Sequence, residues 1–325
     1  MRRDRNPKQR LRPAGGFFAS RKYKFRYILY ALAFFAIVPP VFFHFRLKHF
    51  QKMQMKKCSW LSSPPLVCAH GGDSSRAFPN TMAAYHIALR SQVDCIEIDV
   101  SRSSDGVLFA LHDRDLQRIS GNSTSRVGYM SMKEIKELVP DNPAELEFHD
   151  NKIPTIEEAL KLVSSSVRQI VLDAKVGPPS YEKGLAKDIL NIVERTHCKN
   201  CLVWAKSDNL ARDVMRLSSD VVVGYIVMTD PSTGVRTNLL RISGAGVVGV
   251  YHRLIDKNLV KVLHGRNKKV FAWTVDDTLA MQKMLYENVD AIVTGYPTLL
   301  QRLMQDTRTQ CLEEGFSFGR GDFNV

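Results

Sequence analysis

Two carboxylates stand two residues apart in the apolar run CIEIDV, at Glu97 and Asp99. On an extended strand, residues i and i+2 share a face, so both carboxylates project the same way. A third, Asp173, closes the run QIVLD, and Lys175 follows two residues later. Buried carboxylates that repel one another need a cation or a shared proton. An all-oxygen set of three suits Mg²⁺ or Ca²⁺ rather than zinc. His70 and His112 each end an apolar run, and two imidazoles in one site supply an acid and a base. Taken singly, each group has a plainer reading. A Glu-x-Asp is often surface alternation, Asp173 and Lys175 can form a simple ion pair, Trp273 reads as core, and Arg114, Asp115 and Arg118 read as a solvated loop. Convergence is what gives these groups a joint meaning, and convergence requires a particular fold.

Short β-branched runs alternate with amphipathic stretches from residue 66 onward. The runs are Leu66–His70, Asp94–Val100, Gln169–Lys175, Cys201–Lys206, Val221–Met228, Gly246–Tyr251, Lys269–Val275 and Asp290–Thr294. The intervening segments Thr81–Ser91, Thr155–Ser165, Tyr181–Arg195, Asn209–Leu217, Ile255–His264 and Thr278–Glu287 carry helical periodicity. Such alternation predicts a parallel sheet with helical crossovers. Val107–His112 departs from it, following its predecessor after SRSSDG, too short for a parallel crossover. It must return antiparallel, as a β-hairpin arm after the second strand. The eight remaining strands predict an α/β fold of the (β/α)8, TIM-type barrel class, and an open doubly wound sheet lacks its Gly-x-Gly-x-x-Gly signature. In a barrel the carboxyl ends of the strands carry the chemistry, and His70, Glu97, Asp99, Asp173 and Trp273 all fall there.

The formal charge of +13 is misleading. Of 46 bases and 33 acids, fifteen bases and one acid lie in residues 1–57, so residues 58–325 are nearly neutral. No basic patch is left for nucleic acid on the folded part. Between Arg26 and Arg46 lie nineteen residues without a formal charge, interrupted by Pro39-Pro40. That length is close to the minimum for a membrane span, and membrane helices tolerate proline with a kink. Ten bases precede the run and five follow it, which predicts a single-pass, type II protein with a cytosolic N-terminus and a lumenal or extracellular domain. The expected organisation is a basic tail (1–26), an anchor held in membrane lipid (27–45), a linker (46–64), the barrel (65–305) and a C-terminal tail (306–325). Asn122-Ser123-Thr124 is a glycosylation sequon, and six cysteines are an even count. Cys198 and Cys201 are read as a disulfide, half of a zinc site, or two unrelated thiols.

Several strings together carry a resemblance: AHGG with Asn80-Thr81, IEIDVSRSSDGVLFALHD at 96–113, KIPTIEEAL at 152–160, VLDAK at 171–175, WTVDD at 273–277 and VDAIVTGYP at 289–297. In this order they resemble the glycerophosphodiester phosphodiesterase family, and the anchored arrangement is most like its plant membrane members. The resemblance implies a divalent-metal phosphodiesterase that cleaves glycerophosphodiesters, such as glycerophosphocholine, to sn-glycerol 3-phosphate and an alcohol. It implies Glu97, Asp99 and Asp173 as metal ligands, His70 and His112 as the acid–base pair, and Lys175 and Trp273 at the substrate. The chain departs from the family pattern at Gly71, where an arginine is usual, and in Phe78-Pro79-Asn80-Thr81, where a glutamate is lost. Arg76, in the same loop, is the expected substitute for the arginine. Gly71→Arg is expected to raise turnover unless Gly71 has positive φ. Two alternatives follow from the anchor and the departures: a lysophospholipase D acting on lipid, and a weakened, membrane-tethered binding module.

Overall fold

The computed structural model describes residues 17–138 and 153–316, with side chains from Tyr23. The first sixteen residues of the basic tail, Lys152 and the last nine residues lie outside the described ones. The chain divides into residues 1–55 and a compact unit, 56–325.

In the first unit, helix α1 starts at Phe17 and continues to Cys58, with Pro39 and Pro40 inside it. From Tyr23 to Met53 its side chains are exposed apart from the half-buried Pro39, and it is long and apolar enough to cross a membrane. The stretch expected as a linker is thus helical as far as Cys58. After Pro40 the chain has no further proline or glycine before Cys58, and lysine, glutamine and methionine favour a helix.

The compact unit alternates strand and helix. It runs β1 (Leu66–His70), α2 (Met82–Arg90), β2 (Cys95–Arg102), β3 (Leu108–Ala110), α3 (Asp113–Ser120), α4 (Met132–Lys136) and α5 (Ile156–Val163). It continues through β4 (Gln169–Ala174), α6 (Leu185–Arg195), β5 (Cys201–Ala205), α7 (Asp208–Leu217), β6 (Val222–Val227) and β7 (Val247–Tyr251). It ends with α8 (Lys257–His264), β8 (Lys269–Trp273), α9 (Thr278–Tyr286), β9 (Ala291–Thr294) and α10 (Pro297–Glu313), which runs past residue 305. β1 pairs in parallel with both β2 and β9, so the eight parallel strands close into a TIM-type barrel. β3 pairs antiparallel with β2, Val100 opposite Ala110, as the arm that the short connection requires.

Period-two alternation divides the strand residues between two cores. Residues such as Ile96, Ile98, Ile170, Leu172, Val248 and Val250 pack outward under the helices. Cys68, Cys95, Val171, Leu202, Trp204 and Phe271 fill the barrel interior. His70, Glu97, Asp99, Asp173 and Trp273 continue these interior rows toward the carboxyl ends. Gly249 makes room for the buried Trp204, since a Cβ there would lie 2.6 Å from the indole.

Two segments differ from the sequence reading. The helix expected from Tyr181 starts at Leu185, because Gly184 turns the chain through φ +75°. The residues after His112 are a helix, α3, with its apolar Leu116 and Ile119 buried; the acidic–basic face hid this periodicity. All six cysteines are paired, as Cys58–Cys311, Cys68–Cys95 and Cys198–Cys201. Of the three readings for Cys198 and Cys201, the disulfide is the one found.

Candidate active site

Register brings the candidate residues together. His70 pairs across the β1–β2 ladder with Glu97, and Asp99 across β2–β4 with Asp173. Glu97, Asp99 and Asp173 offer oxygens that all lie within 4.8 Å of one another. Glu97 and Asp99 are 2% and 3% exposed, so water does little to separate their charges. Lys175 forms ion pairs with Asp99, at 2.5 Å, and with Asp173. One ammonium against three carboxylates leaves an excess of negative charge. Burial, with the fields of Asp99 and Asp173, accordingly drives the Glu97 carboxyl well above its ordinary range. Burial also pushes Asp99 upward, but Lys175 and the two histidines outweigh it and hold that carboxyl low. Lys175 is raised, the three carboxylates overcoming its burial. A hard divalent cation fits this all-oxygen, undercompensated set, with Glu97, Asp99 and Asp173 as its ligands.

The loop after β1 locks two of the carboxylates. The Gly71 N–H donates to Glu97 Oε2 at 3.0 Å. Asn80 Nδ2 donates to Asp99 Oδ2 at 2.7 Å, while Asn80 Oδ1 accepts from the Asp99 N–H at 3.1 Å and from the Tyr85 hydroxyl at 3.3 Å. Gly71 and Asn80 both have positive φ, +64° and +61°. The Asn80 N–H closes the loop on the Gly71 carbonyl at 2.8 Å. Asn80 appears in the sequence only as part of a matching string. Its left-handed backbone, which asparagine tolerates, is the local signal that the loop is specialised.

His70 Nε2 lies 4.0 Å from Glu97 Oε2. Burial draws the His70 imidazole below its ordinary value, against the field of Asp99. His112 is the N-cap of α3, its Nδ1 accepting the Arg114 N–H at 3.3 Å, which orients the ring. Burial, aided by Lys175, brings His112 down to about 4. Both imidazoles are therefore neutral at pH 7, the state in which one of the pair can accept a proton.

Two adjoining cavities meet here. One, of about 440 Å³, is lined by His70, Glu97, His112, Asp173, Lys175 and Trp273, among others. The second, of about 730 Å³, is lined by His70, Asp99, His112, Ser74, Asp115 and Arg118, among others. His70, His112 and Arg114 border both. Trp273 packs its ring against Tyr251, with centroids 5.6 Å apart. Arg76 lines neither cavity: its N–H closes a turn on the Asp73 carbonyl at 3.2 Å, and its side chain is exposed. Asn122 is exposed beyond α3, its Oδ1 accepting from the Thr124 hydroxyl at 2.7 Å. Sequence reasoning takes Arg114 as part of a solvated loop and Lys206 only as the end of a strand, yet both reach the wall of the smaller cavity.

Known proteins resemble this chain. Residues 70–299 match the model of the glycerophosphoryl diester phosphodiesterase family. Glycerophosphodiester phosphodiesterase GDPD4 of Arabidopsis thaliana is 62% identical over 298 residues, 92% of this chain and 90% of that protein. A glycerophosphodiester phosphodiesterase of Caldanaerobacter subterraneus is 27% identical, covering 74% of this chain and 98% of its own length. A phosphodiesterase of Oleispira antarctica, solved in complex with its product sn-glycerol-3-phosphate, superposes with a TM-score of 0.66 at 23% identity, covering 74% of this chain and 97% of that one. That structural likeness speaks for the barrel alone. The plant relative's identity over nine-tenths of both chains, and a family match running from His70 past the last strand, mean that this chain belongs to the glycerophosphoryl diester phosphodiesterase family.

Proposed function

We propose that this glycerophosphodiester phosphodiesterase hydrolyses soluble glycerophosphodiesters, such as glycerophosphocholine, to sn-glycerol 3-phosphate and an alcohol, with help from a bound Mg²⁺ or Ca²⁺. The observation that carries the reading is the pair of neutral histidines bordering a cavity whose wall holds Glu97, Asp173 and Lys175. A cation held by Glu97, Asp99 and Asp173 would supply charge neutralisation at a phosphoryl oxygen. His70 and His112 then manage protons: a neutral imidazole takes the proton from the attacking hydroxyl, and its partner gives a proton to the leaving alcohol only once it has itself been protonated, from water or from the first imidazolium. The glycerol 2-hydroxyl is a suitable internal nucleophile, since it is tethered to the phosphorus it attacks; its attack expels the alcohol and leaves a cyclic phosphate, which water then opens to sn-glycerol 3-phosphate. Trp204 and Trp273 give the cavity apolar faces for the glycerol carbons.

The test is glycerol 3-phosphate release from glycerophosphocholine by the full-length chain in detergent micelles. Mg²⁺, Ca²⁺ and a chelator are compared, with a lysophospholipid offered in parallel. Metal-dependent release from the soluble diester supports the proposal. Release from the lysophospholipid alone would favour the lipid-acting alternative, and hydrolysis undiminished by the chelator would remove the metal.

The same proposal places the barrel outside the cytosol, tethered by α1 as a type II anchor. Three disulfides support an oxidising compartment. The exposed Asn122 is then open to glycosylation, and loss of a mass shift after glycosidase treatment of Asn122→Gln checks it.

A further inference from the structure

We infer that Arg114 and Lys206, which share a cavity wall with His112, are the cations that hold the phosphoryl group of the substrate, in place of any arginine in the loop after β1. This rests on the phosphodiesterase reading above and adds residues that carry its specificity for an anion.

A phosphodiester brings one negative charge into a cavity that already has an excess of carboxylate. Lys175 is not free to meet it, because its ammonium is held between Asp99 and Asp173. Gly71 contributes only a backbone N–H, which is spent on Glu97. Arg76 is outside both cavities. The cations left in the wall of the smaller cavity are Arg114, at the start of α3, and Lys206, just past β5. Neither side chain has an ion pair or hydrogen-bond partner among the described residues. Their positive fields both act on His112, as does that of Lys175, so all three charges gather around one imidazole. Burial and the neighbouring Lys175 also make the charge on Lys206 costly, which an incoming anion relieves.

The position of Arg114 fits the role. It borders both cavities, as do only His70 and His112, so it stands where the scissile phosphorus must lie between leaving group and glycerol. A guanidinium there can take two non-bridging oxygens at once, and Lys206 in the same wall adds a point charge.

The experiment compares wild type, Arg114→Ala, Lys206→Ala, the double variant, Arg114→Lys and Arg76→Ala, each as the full-length chain in detergent. Two readouts are taken: kcat and KM on glycerophosphocholine, and the affinity for sn-glycerol 3-phosphate and inorganic phosphate from the quenching of Trp204 and Trp273 fluorescence. Each alanine variant is expected to weaken phosphate affinity and kcat/KM roughly 10- to 100-fold, with partial rescue by Arg114→Lys. Thermal unfolding should be unchanged, because neither side chain has an ion pair or hydrogen bond to lose among the described residues. Unchanged phosphate affinity in the double variant, or a loss confined to Arg76→Ala, overturns the assignment. A wild-type chain that binds the phosphates through Arg114 and Lys206 yet cleaves no glycerophosphodiester would sink the phosphodiesterase reading and leave the clamp standing.

Discussion

Asn80 holds Asp99 by both its side chain and its backbone, donating to Oδ2 at 2.7 Å and accepting from the N–H at 3.1 Å. The two residues are nineteen apart in the chain and almost fully buried. Asp99 thereby keeps one oxygen fixed while the other faces Lys175. Asn80→Ala should cost about 3 kcal/mol, the scale of hydrogen bonds to a buried charge. Asn80→Gly keeps the left-handed backbone and removes only the clamp, so it should lose metal affinity and turnover with a similar drop in Tm. If Asn80→Gly retains wild-type metal affinity, Asp99 does not depend on the clamp.

The repulsion among the carboxylates predicts an inverted stability effect. Glu97 has its carboxyl raised well above the usual range, by burial first and by Asp99 and Asp173 next. A raised carboxyl means that the folded state favours the protonated form, so stability falls as pH rises above the unfolded value. Glu97→Gln should therefore leave the metal-free protein as stable as wild type or more so at pH 7. It should abolish both activity and the rise in Tm that Mg²⁺ or Ca²⁺ gives wild type. A lower Tm without metal would contradict the electrostatic account.

The histidines should titrate low. His112 is brought to about 4, and His70 also lies below its ordinary value. A histidine depressed on folding binds fewer protons in the native than in the unfolded state. Its contribution is complete above about 6.5 and is lost as pH falls toward 4. The acid limb of kcat/KM should accordingly lie well below pH 6.5, and a bound cation would move it lower still. Replacing either histidine should displace a limb, and the double variant should lose little more than the worse single one. Additive losses with an unmoved profile would make one of them structural.

Gly71→Arg should fail to raise turnover. At φ +64° a side chain is strained, and its Cβ would lie 2.9 Å from Pro79 Cβ and 3.2 Å from the Asn80 N. The expected cost is about 1–3 kcal/mol, with displacement of the Asn80 loop. A variant with wild-type Tm and higher turnover would show that the loop yields.

The disulfides should differ sharply in weight. Cys58–Cys311 spans 253 residues and Cys198–Cys201 only three. In the chain-entropy model the first is worth on the order of 5 kcal/mol and the second about 2. Cys311→Ser should then lower Tm far more than Cys198→Ser. Equal losses would place the stabilisation in the folded state instead.

The sequence by itself determines the barrel and most of its chemical inventory, for local reasons. Period-two alternation assigns Glu97 and Asp99 to one face, the short Ser-Arg-Ser-Ser-Asp-Gly connection demands an antiparallel arm, and the matching strings place both histidines at strand ends. Tertiary structure decides what depends on distance across the chain. Only barrel closure sets His70 beside Glu97 and Asp99 beside Asp173, and only the folded loop shows that Asn80 serves Asp99. The pairing of Cys58 with Cys311 and of Cys68 with Cys95 has no spacing signal. Arg76 and Arg114 illustrate the limit most directly. In sequence, Arg76 lies nearer to His70 and to the missing arginine; in space, the turn at Asp73 leaves it in solvent, while capping by His112 starts the helix that sets Arg114 at the cavity wall. A pattern of residue types records which faces are buried, but charge acts through distance and burial, and the fold alone sets those.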